Sequence, residues 1–261
     1  MNQALQKKLA IEYQLAETTY AIAGKKLTIF NVANNYELLD KIDPDDFQKD
    51  ERMPYWAEIW PASIALAEFI LTHPQFQQAR CLELGSGVGV VSVAGAIAGA
   101  QMLTTDYFTE ALDFAQLNAS ANQVAIATQW LDWRDITLTQ QFDYILAADV
   151  LYEERNHAPI LQAIAQLLAP GGTAYISDPQ RPIAKKFIEL AAEHNFQLQT
   201  TTNPVPWREL TLSVDIHALS QNSRFSKEKQ CKSQNLDFQK PYSLKIPSST
   251  NLSFLSMQTD W

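Results

Sequence analysis

Apolar positions along this chain follow two periods, and from Arg80 onward the period switches repeatedly. Short apolar runs predict strands near 80–84, 102–106, 125–130, 142–148 and 173–177. Between them, a repeat near 3.6 predicts helices at 88–100, 108–120, 155–169 and 181–194. Pro170-Gly171-Gly172 marks the end of the third of these helices. Alternation of strand and helix implies a mostly parallel sheet covered on both faces. Residues 196–202 and 209–218 read as two last strands with no helix between them, an antiparallel pair at one sheet edge. Upstream, residues 8–42 alternate apolar and polar (Ile11, Tyr13, Leu15; Leu27, Ile29, Asn31), with a hairpin turn at Gly24-Lys25. Residues 43–55 form a charged loop, and Pro61 opens a helix whose apolar side carries Ile64, Leu66, Phe69, Ile70 and Leu71.

The chain thus divides into an N-terminal β-hairpin extension at 1–50, a main α/β domain at 51–220 and a tail at 221–261. The tail is rich in Ser, Gln, Asn and Lys, lacks sustained periodicity and reads as disordered. With 46% apolar and 19% charged residues, the chain has material for a substantial core. A net charge of −9 argues against nucleic acid as partner and suits a cationic one, although ordinary solubility explains it equally. Two cysteines, Cys81 and Cys231, suggest neither a disulfide framework nor a metal cluster, and the four histidines show no ligand spacing. The apolar run at 88–100 is too short to cross a bilayer, and no signal peptide is evident, so the expectation is a cytoplasmic protein without membrane contact.

Candidate chemistry concentrates in residues 81–106. An apolar strand runs into Gly85-Ser86-Gly87-Val88-Gly89, a small-residue helix follows, and a second strand ends on Asp106. Glycines there let the backbone turn sharply and approach a ligand, the helix amides face a negative group, and Asp106 is placed for ribose hydroxyls. A dinucleotide site needs its third glycine at 90, where this chain has Val90. The order is instead acid-x-Gly-x-Gly-x-Gly starting at Glu83, which resembles the first motif of seven-strand S-adenosylmethionine methyltransferases.

Three further segments bear on the same site. The aromatic rings of Trp56 and Trp60 offer flat surface to an adenine or a cation, or else anchor the start of the helix at Pro61. Asp132 and Trp133 follow the third core strand, where the carboxyl-end rule places adenine contacts; the alternative is a surface turn. Ala148-Asp149-Val150-Leu151-Tyr152 closes the fourth core strand at the mouth of the site, unless Asp149 is a helix N-cap and Tyr152 a packing residue.

Taken together, residues 50–218 resemble the protein lysine methyltransferases called methyltransferase family 16. The resemblance rests on Trp-x-x-x-Trp at 56–60, the loop at 83–89 and Asp-x-x-Tyr at 149–152. Asp178-Pro179-Gln180-Arg181 further resembles an Asp-Pro-x-Arg element of the electron-transfer-flavoprotein β-subunit branch. The Asn/Asp-Pro-Pro-Tyr of base- and glutamine-methylating enzymes is absent after strand four. The resemblance implies a Rossmann-like, seven-stranded class I methyltransferase sheet with helices on both faces and a small β preface. It implies S-adenosylmethionine held by Trp60, Glu83, Gly85, Ser86, Gly87, Gly89, Asp106, Asp132, Trp133 and Ala148, with no metal. Asp149 and Tyr152 would be catalytic, and Trp56, Asp178 and Arg181 would meet the substrate, a lysine-bearing protein; for Arg181 a carboxylate partner, or a plain place at a helix start, stands beside that reading. Two alternatives stand beside it: N-methylation of a small amine or heterocycle, and a cofactor-binding module without catalysis.

Overall fold

The computed structural model describes residues 2–34, 38 and 53–221. The tail beyond 221, Cys231 and most of the 43–55 loop lie outside the described residues. Seven strands form one sheet: β3 (Arg80–Leu84), β4 (Gln101–Asp106), β5 (Ala127–Trp130), β6 (Phe142–Ala148), β7 (Leu168–Asp178), β8 (Phe196–Trp207) and β9 (Leu210–Gln221). Their spatial order is β5-β4-β3-β6-β7-β9-β8. The first five pair in parallel, and β9 inserts antiparallel between β7 and β8. This is the class I methyltransferase sheet, with the antiparallel pair at the edge as expected. Strand order reverses between β3 and β4 on one side and β6 on the other, so a crevice opens at the carboxyl ends of those strands.

Helices α2 (Pro61–Thr72), α3 (Val90–Ile97), α4 (Thr109–Ala121), α5 (Glu154–Leu167) and α6 (Ala184–Glu193) cover the sheet. Among the described residues, none is long and apolar enough to cross a membrane. Helix α5 ends at Leu167 and β7 starts at Leu168, so Pro170-Gly171-Gly172 lies inside the strand instead of stopping the helix. There Gly171 takes φ +80, and the β6–β7 register slips between Phe142 and Tyr144. Cys81 is fully buried, which pushes its thiol up to about 12 and keeps it inert.

Before this domain, the alternation at 8–13 proves to be the end of a helix. Gln3–Glu12 forms α1, capped by Asn2, whose side chain accepts from Leu5 N at 3.1 Å. Leu9 faces the core while Ile11 points to solvent, a division that helical geometry produces and period-two alternation does not. The hairpin that follows pairs β1 (Leu15–Ile22) with β2 (Lys25–Val32). Its turn residues are Ala23 and Gly24, one position earlier than the sequence suggested, both with positive φ.

The outer edge of β2 is capped by two asparagines of α4. Asn118 accepts from Phe30 N (2.7 Å) and donates to Phe30 O (2.9 Å); Asn122 does the same at Thr28 (2.9 and 2.7 Å). One helical turn nearly matches the two-residue rise of a strand, so side chains four apart satisfy strand groups two apart. Leu27, Ile29, Phe30 and Val32 then share one buried cluster with Trp56, Val88, Val93 and Phe114. The hairpin therefore backs the helices that carry the glycine loop.

Candidate active site

The site begins where β3 breaks. Leu82, Glu83 and Leu84 are buried, and Gly85 (φ +65) and Gly87 (φ +51) adopt the left-handed region at its end. A Cβ on Gly85 would come within 3.0 Å of the Trp133 ring, and one on Gly87 within 3.0 Å of Trp56 O. The cradle is bare backbone because no side chain fits it. Gly89 does something else. It is the left-handed N-cap of α3, its Cβ would lie 2.6 Å from that of Ala115, and it is not among the residues lining the cleft. Its place is helix packing against α4, and α3 begins at Val90 rather than near Val88.

Two buried acids bracket the loop. Asp106, at the end of β4, accepts from Gly87 N (2.8 Å) and Phe108 N (2.9 Å), so it holds the loop as well as facing the cleft. Burial outweighs those two hydrogen bonds and raises its carboxyl to about 6. Glu83 is 1% exposed and accepts from Ser92 Oγ, which in turn accepts from Thr104 Oγ1 at 2.7 Å. Burial lifts its carboxyl to about 8 against the pull of Ser92.

Beyond the loop the cleft is walled by rings. Trp133 lies against Gly85, and Asp132 beside it opens a turn closed by Asp135 N donating to its carbonyl, within which Arg134 grips its carboxylate (Nη2–Oδ2 2.7 Å). On the opposite side, Tyr55 meets Tyr152 edge-on at 5.3 Å and Trp60 at 6.1 Å, and Trp60 Nε1 donates to Tyr55 O. Trp56 is 8% exposed and packs on Phe114 and Tyr13, so it lines the cleft chiefly as a core anchor.

Asp149 lines the cleft with an uncommon backbone. Its φ is +58, a region L-residues other than Asn, Asp and His rarely enter, and its N–H donates to Ser177 O. Helix α5 is capped four residues later, by Glu153, so Asp149 is not its N-cap. Arg181 binds Asp149 Oδ1, while Oδ2 is buried and has no hydrogen-bond partner among the described residues. Burial raises the Asp149 carboxyl, and Arg181 opposes that rise. Asp178 accepts from Arg181 N at 2.7 Å; neither Asp178 nor Arg181 lines the cleft itself.

A family model described as Lysine methyltransferase matches residues 45–194. The chain belongs to the lysine methyltransferase family. It is 26% identical over 158 residues to EEF1A lysine methyltransferase 3 of Mus musculus, covering 57% of this chain and 67% of that protein. Against the electron transfer flavoprotein beta subunit lysine methyltransferase of Rattus norvegicus, identity is 32% over 166 residues, or 60% and 62% of the two chains. The chain spans about half to two thirds of the length of the curated relatives it matches. In fold it is similar to the crystal structure of magnesium protoporphyrin IX methyltransferase from Synechocystis PCC 6803. The TM-score is 0.52 at 17% identity, over 72% of this chain and 93% of that one.

Within this lysine methyltransferase fold, the cleft gathers Trp56, Trp60, Glu83, Gly85, Ser86, Gly87, Asp106, Asp132, Trp133, Ala148, Asp149 and Tyr152. It also includes residues the sequence reading passed over: Tyr55, Glu58, Tyr107, Phe108, Arg134 and Glu153. Tyr107 and Phe108 directly follow Asp106 at a strand's carboxyl end, so the rule that placed Asp132 would have placed them. Glu58 and Arg134 carry no comparable signal; only the folded chain turns them inward.

Proposed function

We propose that the protein transfers methyl groups from S-adenosylmethionine to a lysine amine of a protein substrate. The observation that carries this reading is Asp149, buried in the cleft lining on a left-handed backbone, with one carboxylate oxygen that has no hydrogen-bond partner among the described residues. The cofactor fits the residues present. The backbone cradle at Gly85 and Gly87 admits no side chain, Asp106 is an acceptor for ribose hydroxyls, and Glu83 lies beside the loop for an ammonium. Trp133, Leu131 and Val150 supply apolar surface for the adenine.

When bound, the cofactor supplies an electrophilic methyl on a sulfonium. The chain's own work is placement and desolvation. A lysine amine must lose a proton before attack, at a cost of roughly 4–5 kcal/mol at pH 7 from its reference pKa. Burial between Tyr55, Trp60 and Tyr152 favours the neutral amine. Asp149 accepts an N–H and so directs the nitrogen lone pair along one line. Glu58, Asp106, Asp132, Asp149 and Glu153 line the cleft against Arg134 and Arg155, a balance suited to a cationic acceptor.

The test is label transfer. The protein, tritiated S-adenosylmethionine and cell lysate are incubated together and the lysate is separated by size. Label in acid-hydrolysed methyl-lysine of a protein band supports the reading. Label confined to small molecules favours the amine or heterocycle alternative, and cofactor binding without any transfer favours a silent module.

A further inference from the structure

Arg181 follows β7 by the Asp178-Pro179-Gln180 turn, in which Gln180 takes φ +64. Its backbone N–H is tied to Asp178 Oδ1, and its side chain reaches back across the strand end. Nε (2.9 Å) and Nη2 (2.8 Å) both meet the same oxygen of Asp149, Oδ1. The side chains of Asp149 and Asp178 are 4% and 1% exposed, and each has an Oδ2 with no hydrogen-bond partner among the described residues. Asp178 Oδ2 stays 4.0 Å from the Arg181 guanidinium. Two buried carboxylates around one guanidinium leave one negative charge unbalanced, and a buried charge calls for a partner.

Resting on the lysine-transfer reading of this cleft, we infer that Arg181, fixed by Asp178, is a positioning residue. It clamps Asp149 by one oxygen and reserves the other, Oδ2, for an N–H of the acceptor amine. A guanidinium does this where an ammonium does not, because its rigid planar fork brings two donors onto one oxygen and so pins Oδ1 while leaving Oδ2 to the acceptor. The clamp also keeps Asp149 an acceptor. Without the cation, burial favours the protonated carboxyl, which would donate instead. The other ionisable groups facing this pair are Asp178 and, paired with it across the sheet, Asp215 of β9. From the cleft side come Tyr152, with Glu153, Asp106 and Tyr55 behind it. None of these supplies a second cation. On this view Arg181 meets the substrate only through Asp149, the carboxylate partner that the sequence offered as the alternative to direct contact.

The experiment uses the full chain with 13C-labelled aspartate carboxyls. It compares wild type, Arg181→Gln and Arg181→Lys, with Asp149→Asn assigning the resonance. In Arg181→Gln the Asp149 carboxyl titrates about one pH unit or more higher than in wild type. Methyl transfer at pH 7 falls about tenfold or more, recovers as pH rises through the new midpoint, and leaves cofactor KM within about twofold. Arg181→Lys keeps the midpoint and transfers at an intermediate rate, because one ammonium cannot replace the fork. An unmoved midpoint in folded Arg181→Gln overturns the clamp. So does a pH-independent loss that appears only as a raised acceptor KM, the mark of direct substrate contact. Should Arg181→Gln fail to fold, Arg181→Lys decides: an intermediate rate with the midpoint kept supports the clamp, and a wild-type rate overturns it. The titration needs no acceptor, so an absence of transfer by wild type refutes the lysine reading while the clamp is still measured.

Discussion

Asp149 and Glu83 are the two side chains on which the chemistry most depends, and each makes its own prediction. Asp149→Ala removes the acceptor that aims the amine. Turnover should fall on the order of 100-fold or more while cofactor affinity changes by less than about threefold, measured by label transfer and calorimetry. Unchanged turnover would remove Asp149 from the mechanism. Glu83 concerns pH. Its carboxyl is raised to about 8 from an ordinary 4.5. Below pH 4.5 it is neutral in both folded and unfolded chains and costs nothing. Between 4.5 and 8 the folded state alone keeps the proton, so stability falls as pH climbs through that window. The loss is on the order of a few kcal/mol and should be absent in Glu83→Gln, as denaturant melts at pH 5 and pH 8.5 would show. At pH 7, binding a cofactor ammonium beside Glu83 should release a proton, so calorimetric heat should depend on the buffer's ionisation enthalpy. At this scale the sequence was legible where motif order matters, as at Glu83, Asp106 and Asp149. At Arg181 it offered a carboxylate partner without saying which, because the contact with Asp149 depends on β6 and β7 lying side by side.

At the scale of elements, glycine geometry separates site from scaffold. Gly89→Ala must relieve a Cβ contact of 2.6 Å with Ala115 at a left-handed N-cap. It should destabilise by about 3 kcal/mol or more in urea melts. Gly24→Ala, also at positive φ but with nothing within 4 Å, should cost only about 1 kcal/mol. Equal costs at both would contradict the assigned packing. Asn118→Ala would strand Phe30's N–H and C=O in the interior and should cost about 3 kcal/mol, with the hairpin loosened first in hydrogen exchange. Most strands and helices after Arg80 were legible to within a few residues because each segment holds one period, but β7 begins at Leu168, five residues before the expected 173, and β8 runs five past 202 to Trp207. The end of α1 was not, since Ile11, Tyr13 and Leu15 alternate by composition while Asn2 starts a helix. Nor were the asparagine caps, because a strand edge satisfied by a helix leaves no periodic trace.

For the whole molecule, the boundary at residue 50 sets a proposal. The hairpin shares its buried cluster with Trp56, Val88 and Phe114, so we propose that it is part of the catalytic unit rather than an appendage. A chain lacking residues 1–34 should lose its single cooperative melt and bind the cofactor at least about tenfold more weakly, through slackening of the loop between β3 and α3. An intact melt and unchanged affinity would restore the view of a detachable preface. The sheet order, the crevice at its reversal and the ring of carboxylates around it all converge on one cradle for a sulfonium cofactor. Calorimetric titration of the full chain with S-adenosylmethionine, and with its demethylated product, tests that most directly. The expected result is one site per chain for both ligands, lost in Gly87→Val, whose side chain would meet Trp56 O. No heat for either ligand from folded protein, or undiminished binding by a folded Gly87→Val, would contradict it.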